Sequence, residues 1–251
     1  MTLNLSKTQI DRLGNRLKKA SLIKAGSIIL EEDLRRLDEY RRSFGAAYET
    51  VVQTIREQLG LEPTGRPAKS TTSILEKLLR ESIRLSQIQD IAGCRVIVDG
   101  VLEQETVIAS LREVFRGASV IDRRVKPSYG YRAVHVIPKI EGKTIEIQVR
   151  TKLQHLWAEL SEKLSDVIDP SIKYGGGDGT LRSALEIISK SVTGLETTEE
   201  SIPRLRESLS DKPTEEEIEK FKQNFVSQKK IAVENLSEAI IRLEKAKRNK
   251  R

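Results

Sequence analysis

The amino-acid sequence predicts an α+β protein, in which a mixed or antiparallel sheet of about four or five strands is flanked by helices. Four segments between Cys94 and Val149 are rich in the branched and aromatic residues that favour strands. The chain on either side repeats its apolar residues at helical spacing, which predicts helical extensions at both ends. A short turn sequence, KIEGK, joins the last two predicted strands as a hairpin through Gly142.

Capping residues and glycines place the predicted helices of the first part of the chain. Ser6 and Gln9 form a capping box that predicts the start of a helix. A longer helix is predicted from Glu31 to Leu59, ending at Gly60. The basic segment 62–72 contains two prolines and is predicted to be a loop, and Thr72 or Ser73 is predicted to cap the next helix.

The central and last parts of the chain are predicted from their apolar periodicity. A helix is expected over about 103–115, and segment 173–180, which is rich in glycine, is predicted to be a flexible joint. The predicted strands cover 94–98, about 118–125, 132–138 and 144–149, and the last helices cover about 181–195 and 214–246. These elements predict three regions: helical residues 1–61, a core over 62–170 and a helical extension over 171–251.

Composition narrows the classes of function. The formal charge of +7 favours anionic partners such as phosphates, nucleotides or RNA, although a lysine-rich surface could also serve solubility alone. Cys94 is the only cysteine and there are two histidines, so neither a disulfide nor a zinc site is expected. No apolar run approaches the length of a membrane span. The sequence therefore predicts a cytoplasmic protein with no membrane partner.

Four polar clusters flank the predicted strands. Each has an ordinary structural explanation, because basic helices, ion pairs and packed tyrosines are common in proteins. The second, for example, could hold a structural ion pair or a magnesium ligand beside a base-stacking arginine. The clusters are Arg66, Lys69, Lys77 and Arg80; Asp90 and Arg95; Lys126, Tyr129, Tyr131, Arg132 and His135; and Glu146, Gln148, Arg150 and His155.

Together and in this order, three motifs resemble the synthetase domain of the RelA/SpoT family. The motifs are DIAGCRVIV, GYRAVH and EIQVRTKLQHLWAE, and they are supported by KSTTSILEKL. The family's enzymes are pyrophosphokinases that make the alarmones ppGpp and pppGpp. The segment GGGDGT is not a phosphate-binding P-loop, because it lacks the GK[ST] ending of that motif.

The resemblance implies a fold similar to these nucleotidyltransferase-like domains and a transfer of the β,γ-pyrophosphate of ATP to a ribose 3′-hydroxyl. It assigns Mg²⁺ to Asp90 and Glu146, with Glu146 as the base for the hydroxyl. It further implies ATP binding by Arg66, Lys69, Lys77, Arg80 and Arg95, acceptor binding by Lys126, Tyr131, His135, Gln148 and His155, and support of the site by Arg132 and Arg150.

Two departures from the family pattern leave the acceptor open. Pro67 stands where small synthetases often have an arginine, and the loop KPSYGY carries one extra residue. The family resembled here includes makers of alarmones, which use GDP or GTP, and toxins, which modify the 3′-CCA end of tRNA. An adenosine acceptor and a binding module without activity are further alternatives. The activity of such a synthetase is expected to be regulated by formation of a homo-oligomer, by a ligand or by a neutralising antitoxin partner.

Overall fold

The computed structural model describes residues 5–22, 31–204 and 213–249, and the chain divides into two compact units. The first unit comprises Met1–Val96, Ser110–Val120 and His135–Gln148. The second comprises Ile97–Ala109, Ile121–Val134 and Val149–Arg251. Within the described residues, no helix is both long and apolar enough to cross a lipid bilayer.

Eight α-helices lie in the described part of the chain. They are α1 (Lys7–Leu22), α2 (Glu31–Arg42), α3 (Gly45–Leu59), α4 (Thr71–Arg80), α5 (Val101–Val114), α6 (Lys152–Val167), α7 (Gly179–Ser201) and α8 (Glu215–Asn249). Short 3₁₀ turns occupy Leu85–Gln87, Ile172–Tyr174 and Ile202–Arg204.

Within the described residues, six strands form the sheet, and each contributes residues to the first unit. They are β1 (Thr64–Arg66), β2 (Ala92–Val98), β3 (Ser119–Asp122), β4 (Val134–Ile137), β5 (Lys139–Ile140) and β6 (Lys143–Thr151). Five of them follow the order β1-β2-β6-β4-β3, and β5 pairs with β6 outside this path. The predicted α+β class is confirmed, and the five strands of the main path fall within the predicted number.

The hairpin between β5 and β6 forms as predicted. Lys139 pairs with Thr144 and Ile140 with Lys143, which leaves a two-residue turn. The turn residues Glu141 and Gly142 both have positive φ, at 47° and 81°. This backbone matches the twist of the two strands and favours glycine at the second position.

The first helix also begins as predicted, but the next one is interrupted. Ser6 accepts a hydrogen bond from the Gln9 N–H, and the Gln9 side chain accepts one from the Ser6 N–H. The single helix predicted over 31–59 is wrong, because α2 ends at Arg42 and α3 begins at Gly45. The Ser43 hydroxyl bonds to the Tyr40 carbonyl and glycine is a weak helix former, so the helix is easily broken here.

The predicted loop 62–72 contains an unpredicted strand, and its predicted helix cap is wrong. Thr64–Arg66 pair antiparallel with β2, so that Gly65 lies opposite Cys94 and Arg66 opposite Gly93. A Cβ at Gly65 would lie 2.3 Å from the Gly93 carbonyl oxygen, so only glycine permits this approach. Ser70, not Thr72 or Ser73, caps α4, because its side chain accepts a hydrogen bond from the Ser73 N–H.

The second unit is built around helices α6, α7 and α8. Apolar side chains of these helices and of the adjoining 3₁₀ turn form one buried cluster: Leu153, Leu156, Trp157, Ala158, Leu160, Ile172, Leu185, Val192, Leu236 and Ile240. Lys163 on α6 pairs with Glu244 on α8 at 2.6 Å, which fixes the two helices side by side. Burial of this cluster is the main stabilising contribution in the unit.

The joint predicted over 173–180 has a defined path. Gly175, with φ of 77°, ends the 3₁₀ turn, and the Asp178 side chain accepts hydrogen bonds from the N–H groups of Thr180 and Leu181. Asp178 is therefore the N-cap of α7. The glycines supply the turn, and the acidic cap starts the helix.

Candidate active site

In the first unit, Asp90 lies between two lysines. Lys69 Nζ is 2.5 Å from Asp90 Oδ2, and Lys77 Nζ is 3.0 Å from Asp90 Oδ1. All three side chains are largely removed from solvent, with exposed fractions of 12% for Lys69, 21% for Lys77 and 23% for Asp90. Burial alone would raise the pKa of Asp90, but the charges and hydrogen bonds of the lysines outweigh it and lower the pKa to about 2. The carboxylate is therefore ionised at neutral pH.

Backbone contacts fix Lys69 in this position. Its N–H donates to the Ile91 carbonyl at 2.6 Å, which ties the lysine to the segment that carries Asp90. Arg41 on α2 donates through Nε to the Lys69 carbonyl at 2.5 Å and through Nη1 to the Thr71 hydroxyl at 3.0 Å. Arg41 was missed by the sequence analysis. Arg41 lies at the basic end of a predicted helix, and no sequence pattern there indicates a contact with Lys69, which is 28 residues further along the chain.

Glu146 on β6 is another largely buried carboxylate of the first unit, with 12% of its side chain exposed. His135 Nδ1 on β4 lies 3.1 Å from Glu146 Oε1, and Gln148 Nε2 donates to Glu146 Oε2 at 2.7 Å. Burial acts to raise the pKa of Glu146, but the hydrogen bond and charge of His135, with the Gln148 hydrogen bond, hold it below its ordinary value. The negative charge of Asp90 acts in the opposite direction, so the two carboxylates lie within electrostatic reach of each other.

A glycine allows β2 to approach β6 beside this carboxylate. A Cβ at Gly93 would lie only 2.7 Å from the Glu146 carbonyl oxygen and 3.4 Å from the Glu146 Cβ. Arg66 pairs with Gly93 on the other side, so the three positions lie in a row across β1, β2 and β6. Any larger residue at position 93 would separate the strands or displace Glu146.

The remaining predicted ATP-binding residues of the first unit are less closely grouped. Arg66 is exposed on β1, and Arg95 on β2 lies opposite Thr64. Arg80, at the end of α4, pairs with its neighbour Glu81 at 3.0 Å. The structure thus brings Lys69 and Lys77 to Asp90 and leaves the roles of these three arginines as predictions.

In the second unit, Arg150 contacts Tyr131 in two ways. The guanidinium carbon lies 4.9 Å from the centre of the tyrosine ring, and Nη2 donates to the phenolic oxygen at 3.0 Å. Arg150 is 3% exposed, and Tyr131 packs against the apolar cluster of α6, α7 and α8. The arginine therefore orients the ring, and its supporting role at the acceptor site stays a prediction.

The other predicted residues of the second unit have separate partners. His155 Nε2 lies 3.6 Å from Glu159 Oε2, one turn along α6. Arg132 donates to the Ser189 hydroxyl at 3.2 Å and to the Arg124 carbonyl at 2.8 Å. Lys126 is exposed in the loop that precedes them. Their assignment to the acceptor remains a prediction.

The side chains of Cys94 and Trp157 are buried. Burial raises the pKa of the Cys94 thiol to about 12, so the side chain is a neutral apolar group at physiological pH. Trp157 is 4% exposed, and its indole N–H donates to the Leu185 carbonyl at 2.9 Å.

Comparison with known proteins identifies the segment that carries these residues. Residues 65–165 match the family model described as the region found in RelA / SpoT proteins. These residues are similar to a RelA/SpoT region. This segment includes every one of the predicted site residues, and the family resemblance read from the three motifs is confirmed.

Two of the curated relatives each match less than half of the chain. An uncharacterised protein of Mycobacterium tuberculosis (strain ATCC 25618 / H37Rv) is 41% identical over 111 residues, which cover 43% of this chain and 41% of the relative. GTP pyrophosphokinase YwaC of Bacillus subtilis (strain 168) is 32% identical over 122 residues, covering 41% of this chain and 58% of the relative. The chain thus matches less than two thirds of the length of these RelA/SpoT relatives.

A solved structure shows a similar fold. The small alarmone synthetase 1 of Bacillus subtilis, bound to its product pppGpp, superposes with a TM-score of 0.50 and 24% sequence identity. The match covers 69% of this chain and 97% of the synthetase. It supports the α+β fold of the RelA/SpoT region.

Proposed function

We propose that this chain is a RelA/SpoT-type pyrophosphokinase, which transfers the β,γ-pyrophosphate of ATP to the ribose 3′-hydroxyl of GDP or GTP. The observation that carries the proposal is the pair of largely buried carboxylates in the first unit, Asp90 held by two lysines and Glu146 held by His135 and Gln148, with the charge of Asp90 acting on the ionisation of Glu146. Burying two like charges in one region is costly, and it is a feature expected of a functional site. Similarity to the GTP pyrophosphokinase YwaC of Bacillus subtilis supports the same reaction class.

The donor end of the reaction is assigned to Lys69 and Lys77. Together with Asp90 they leave a net positive charge in a largely buried position, which favours a polyphosphate. Arg41 holds the Lys69 backbone, so this lysine is fixed in place before ATP arrives. Such preorganisation lowers the cost of ordering the phosphates.

The carboxylate pair also fits a Mg²⁺ ion. Magnesium in phosphoryl-transfer sites is commonly held by one or two carboxylates together with substrate phosphates and water, and Asp90 and Glu146 supply such oxygens. When bound, Mg²⁺ neutralises charge on the phosphates and orients them. Asp90 would then exchange contacts with Lys69 and Lys77, whose ammonium groups would turn to the phosphates.

Glu146 is proposed to be the general base. As the acceptor 3′-oxygen forms its bond to the β-phosphorus, the hydroxyl proton passes to Glu146 and the bond to the leaving AMP breaks. His135 and Gln148 each hold one oxygen of this carboxylate, so they orient it and keep it ionised. His135 was predicted to bind the acceptor, and its contact with Glu146 adds a positioning role.

Acceptor recognition is proposed to involve the ring of Tyr131, as the resemblance implies. An aromatic ring held by a guanidinium offers a surface on which a base can stack. Lys126 and His155 are assigned to the same substrate, and Arg132 and Arg150 to its support.

Transfer of label tests the reaction and the acceptor together. The protein is incubated with Mg²⁺ and ATP labelled in its β,γ-phosphates, with GDP, GTP, ATP or bulk tRNA offered separately. Label in a guanosine nucleotide would support the proposal, whereas label in tRNA alone would identify a toxin acting on the 3′-CCA end. Label only on an adenosine nucleotide would also contradict the proposed acceptor, and no transfer would contradict the enzymatic function.

A further inference from the structure

The second unit contains a cavity, and among the described residues that line it only Arg132 has an assigned role, in support of the acceptor site. It has a volume of about 560 Å³ and lies between the loop Pro127–Arg132 and helix α7. This volume falls in the range of pockets that hold small ligands. Helix α7 lies beyond residues 65–165, and most of the described lining residues are outside the RelA/SpoT region.

Cations dominate the charged lining of the cavity. Arg132, Arg182 and Lys190 line it, and Glu186 is the one carboxylate among the lining residues. Lys190 Nζ lies 2.8 Å from Glu186 Oε1, which leaves the two arginines as a surplus of positive charge. Such a lining favours an anion, and guanidinium groups match the geometry of phosphate oxygens.

The contacts of the two arginines fix them on the wall. Arg132 donates to the Ser189 hydroxyl and to the Arg124 carbonyl, which uses two of its five N–H donors. Ser189 in turn donates to the Gly130 carbonyl at 2.8 Å, joining α7 to the loop. Arg182 donates through Nη1 to the Gly175 carbonyl at 3.0 Å. Burial removes water from the charged guanidinium of Arg132 and lowers its pKa. A bound anion would offset this unfavourable desolvation.

The cavity also has an exposed aromatic wall. Tyr129 is 66% exposed, an unusually large fraction for a ring of this size. Its φ of 53° is rare for a residue other than glycine, and its ring lies directly on the backbone of Gly175. One face of the ring is thus supported by the chain, while the side chain remains accessible to a ligand.

We propose that this cavity binds a mononucleotide, with phosphate groups on Arg132, Arg182 and Lys190 and the base against the ring of Tyr129. A cavity of about 560 Å³ suits a single nucleotide better than an RNA segment. This site goes beyond the proposed transfer reaction, because Arg182 and Lys190 have no part in it. Tyr129 is an unassigned residue of the loop KPSYGY, so the site gives that loop a second use.

The single tryptophan provides a local probe of this cavity. The Trp157 indole donates to the carbonyl of Leu185, a lining residue. Its ring also lies against Gly130, where an added Cβ would be 2.6 Å from the Trp157 Cζ2. Because the chain has one tryptophan, ¹⁵N-labelled protein gives one indole N–H signal, which should respond when the cavity is filled.

The experiment titrates full-length protein with GDP, ATP or an RNA oligonucleotide ending in CCA, each alone, and follows the Trp157 indole signal by NMR. We expect a saturable shift with a mononucleotide. In the double variant Arg182→Gln, Lys190→Gln, the midpoint should rise at least about tenfold, because contacts between charged groups are lost. Lys222→Gln, an exposed lysine on α8, is the matched control and should keep the wild-type midpoint.

Three results would overturn the inference. They are no shift up to millimolar nucleotide, a shift that the double variant leaves unchanged, and a response to the RNA oligonucleotide alone. The outcome is separate from that of the transfer reaction, because binding is measured without turnover. A chain that binds without transferring label would contradict only the proposed function, and one that transfers label without this shift would contradict only the present inference.

Discussion

Lys69 and Asp90 form a largely buried ion pair, with Nζ 2.5 Å from Oδ2, and Lys77 holds the other oxygen of the same carboxylate. Removing one partner from such a group leaves an uncompensated charge. The arrangement therefore links the electrostatics of the proposed ATP site to the stability of the first unit.

The ionisation of Asp90 predicts a loss of stability in acid. Its pKa is about 2 in the folded chain and 3.8 in the unfolded reference, so the unfolded state takes up the proton first as the pH falls. The ionised Asp90 carboxylate contributes about 2 kcal/mol to the free energy of unfolding. This contribution is fully present above pH 3.8 and is lost as the pH falls through about 2. Urea unfolding of the wild type should show this loss between pH 4 and 2.

Two variants isolate the contribution of Asp90. Asp90→Asn should remove this part of the pH dependence, whereas Asp99→Asn, at an exposed position, should retain it. Equal pH profiles for wild type and Asp90→Asn would contradict the ion-pair assignment.

Gly93 is predicted to be essential for the spacing of β2 and β6. In Gly93→Ala the new Cβ meets the Glu146 carbonyl oxygen at 2.7 Å, so a strand must shift. We expect a loss of about 1–3 kcal/mol in the free energy of unfolding, together with reduced transfer activity, because Glu146 moves with its strand. Denaturant unfolding and the label-transfer assay measure the two effects.

Gly194→Ala is the control for this substitution. A Cβ at Gly194, within α7, meets nothing within 4 Å, and alanine favours the helix. Stability should stay the same or rise slightly. A Gly93→Ala protein as stable and active as the Gly194→Ala protein would contradict the close approach of the two strands.

Gln148 is predicted to hold Glu146 in its ionised form. Gln148→Leu removes the donor that lies 2.7 Å from Glu146 Oε2, so the pKa of the carboxyl should rise. The acid limb of the pH–rate profile should move to higher pH, and kcat should fall about tenfold through the loss of one hydrogen bond to a charged group. If the acid limb of the pH–rate profile does not move, the prediction that Gln148 keeps Glu146 ionised is contradicted.

The ring of Tyr131 is predicted to affect the acceptor more than ATP. Tyr131→Ala should raise KM for the acceptor about tenfold, since stacking of a base on an aromatic ring contributes about 1–3 kcal/mol, while KM for ATP changes little. Tyr131→Phe keeps the ring and loses only the bond from Arg150, so its effect should be smaller. Because the ring also packs on the apolar cluster, Tm is measured for both variants. Equal KM changes for both substrates would contradict the acceptor role.

The alternation of residues in β6 made both the strand and its chemistry predictable. Ile145 and Ile147 are buried, and Glu146 and Gln148 project from the other face, as a period of two requires. The hairpin turn at Gly142 and the cap at Ser6 were predictable for a similar reason, because each depends on residues close together in the chain.

The parts that could not be predicted depend on distant contacts or weak local signals. β1 has three exposed residues, and only its pairing with β2 makes it a strand. The contact of Arg41 with Lys69 and the cavity of Arg182 depend on tertiary packing, which leaves no periodic pattern. In α7, the spacing of Arg182, Glu186 and Lys190 by four residues shows that they share a helix face, but not what that face meets.

The central claim is that Glu146 is the base of a pyrophosphate transfer, and Glu146→Gln tests it most directly. The measurement compares kcat for transfer from labelled ATP in wild type, Glu146→Gln and Glu76→Gln, the last an exposed position on α4. We expect kcat of Glu146→Gln to fall by about 10²–10⁴-fold with an unchanged circular dichroism spectrum, and Glu76→Gln to match the wild type. A folded Glu146→Gln protein with wild-type kcat would contradict the claim.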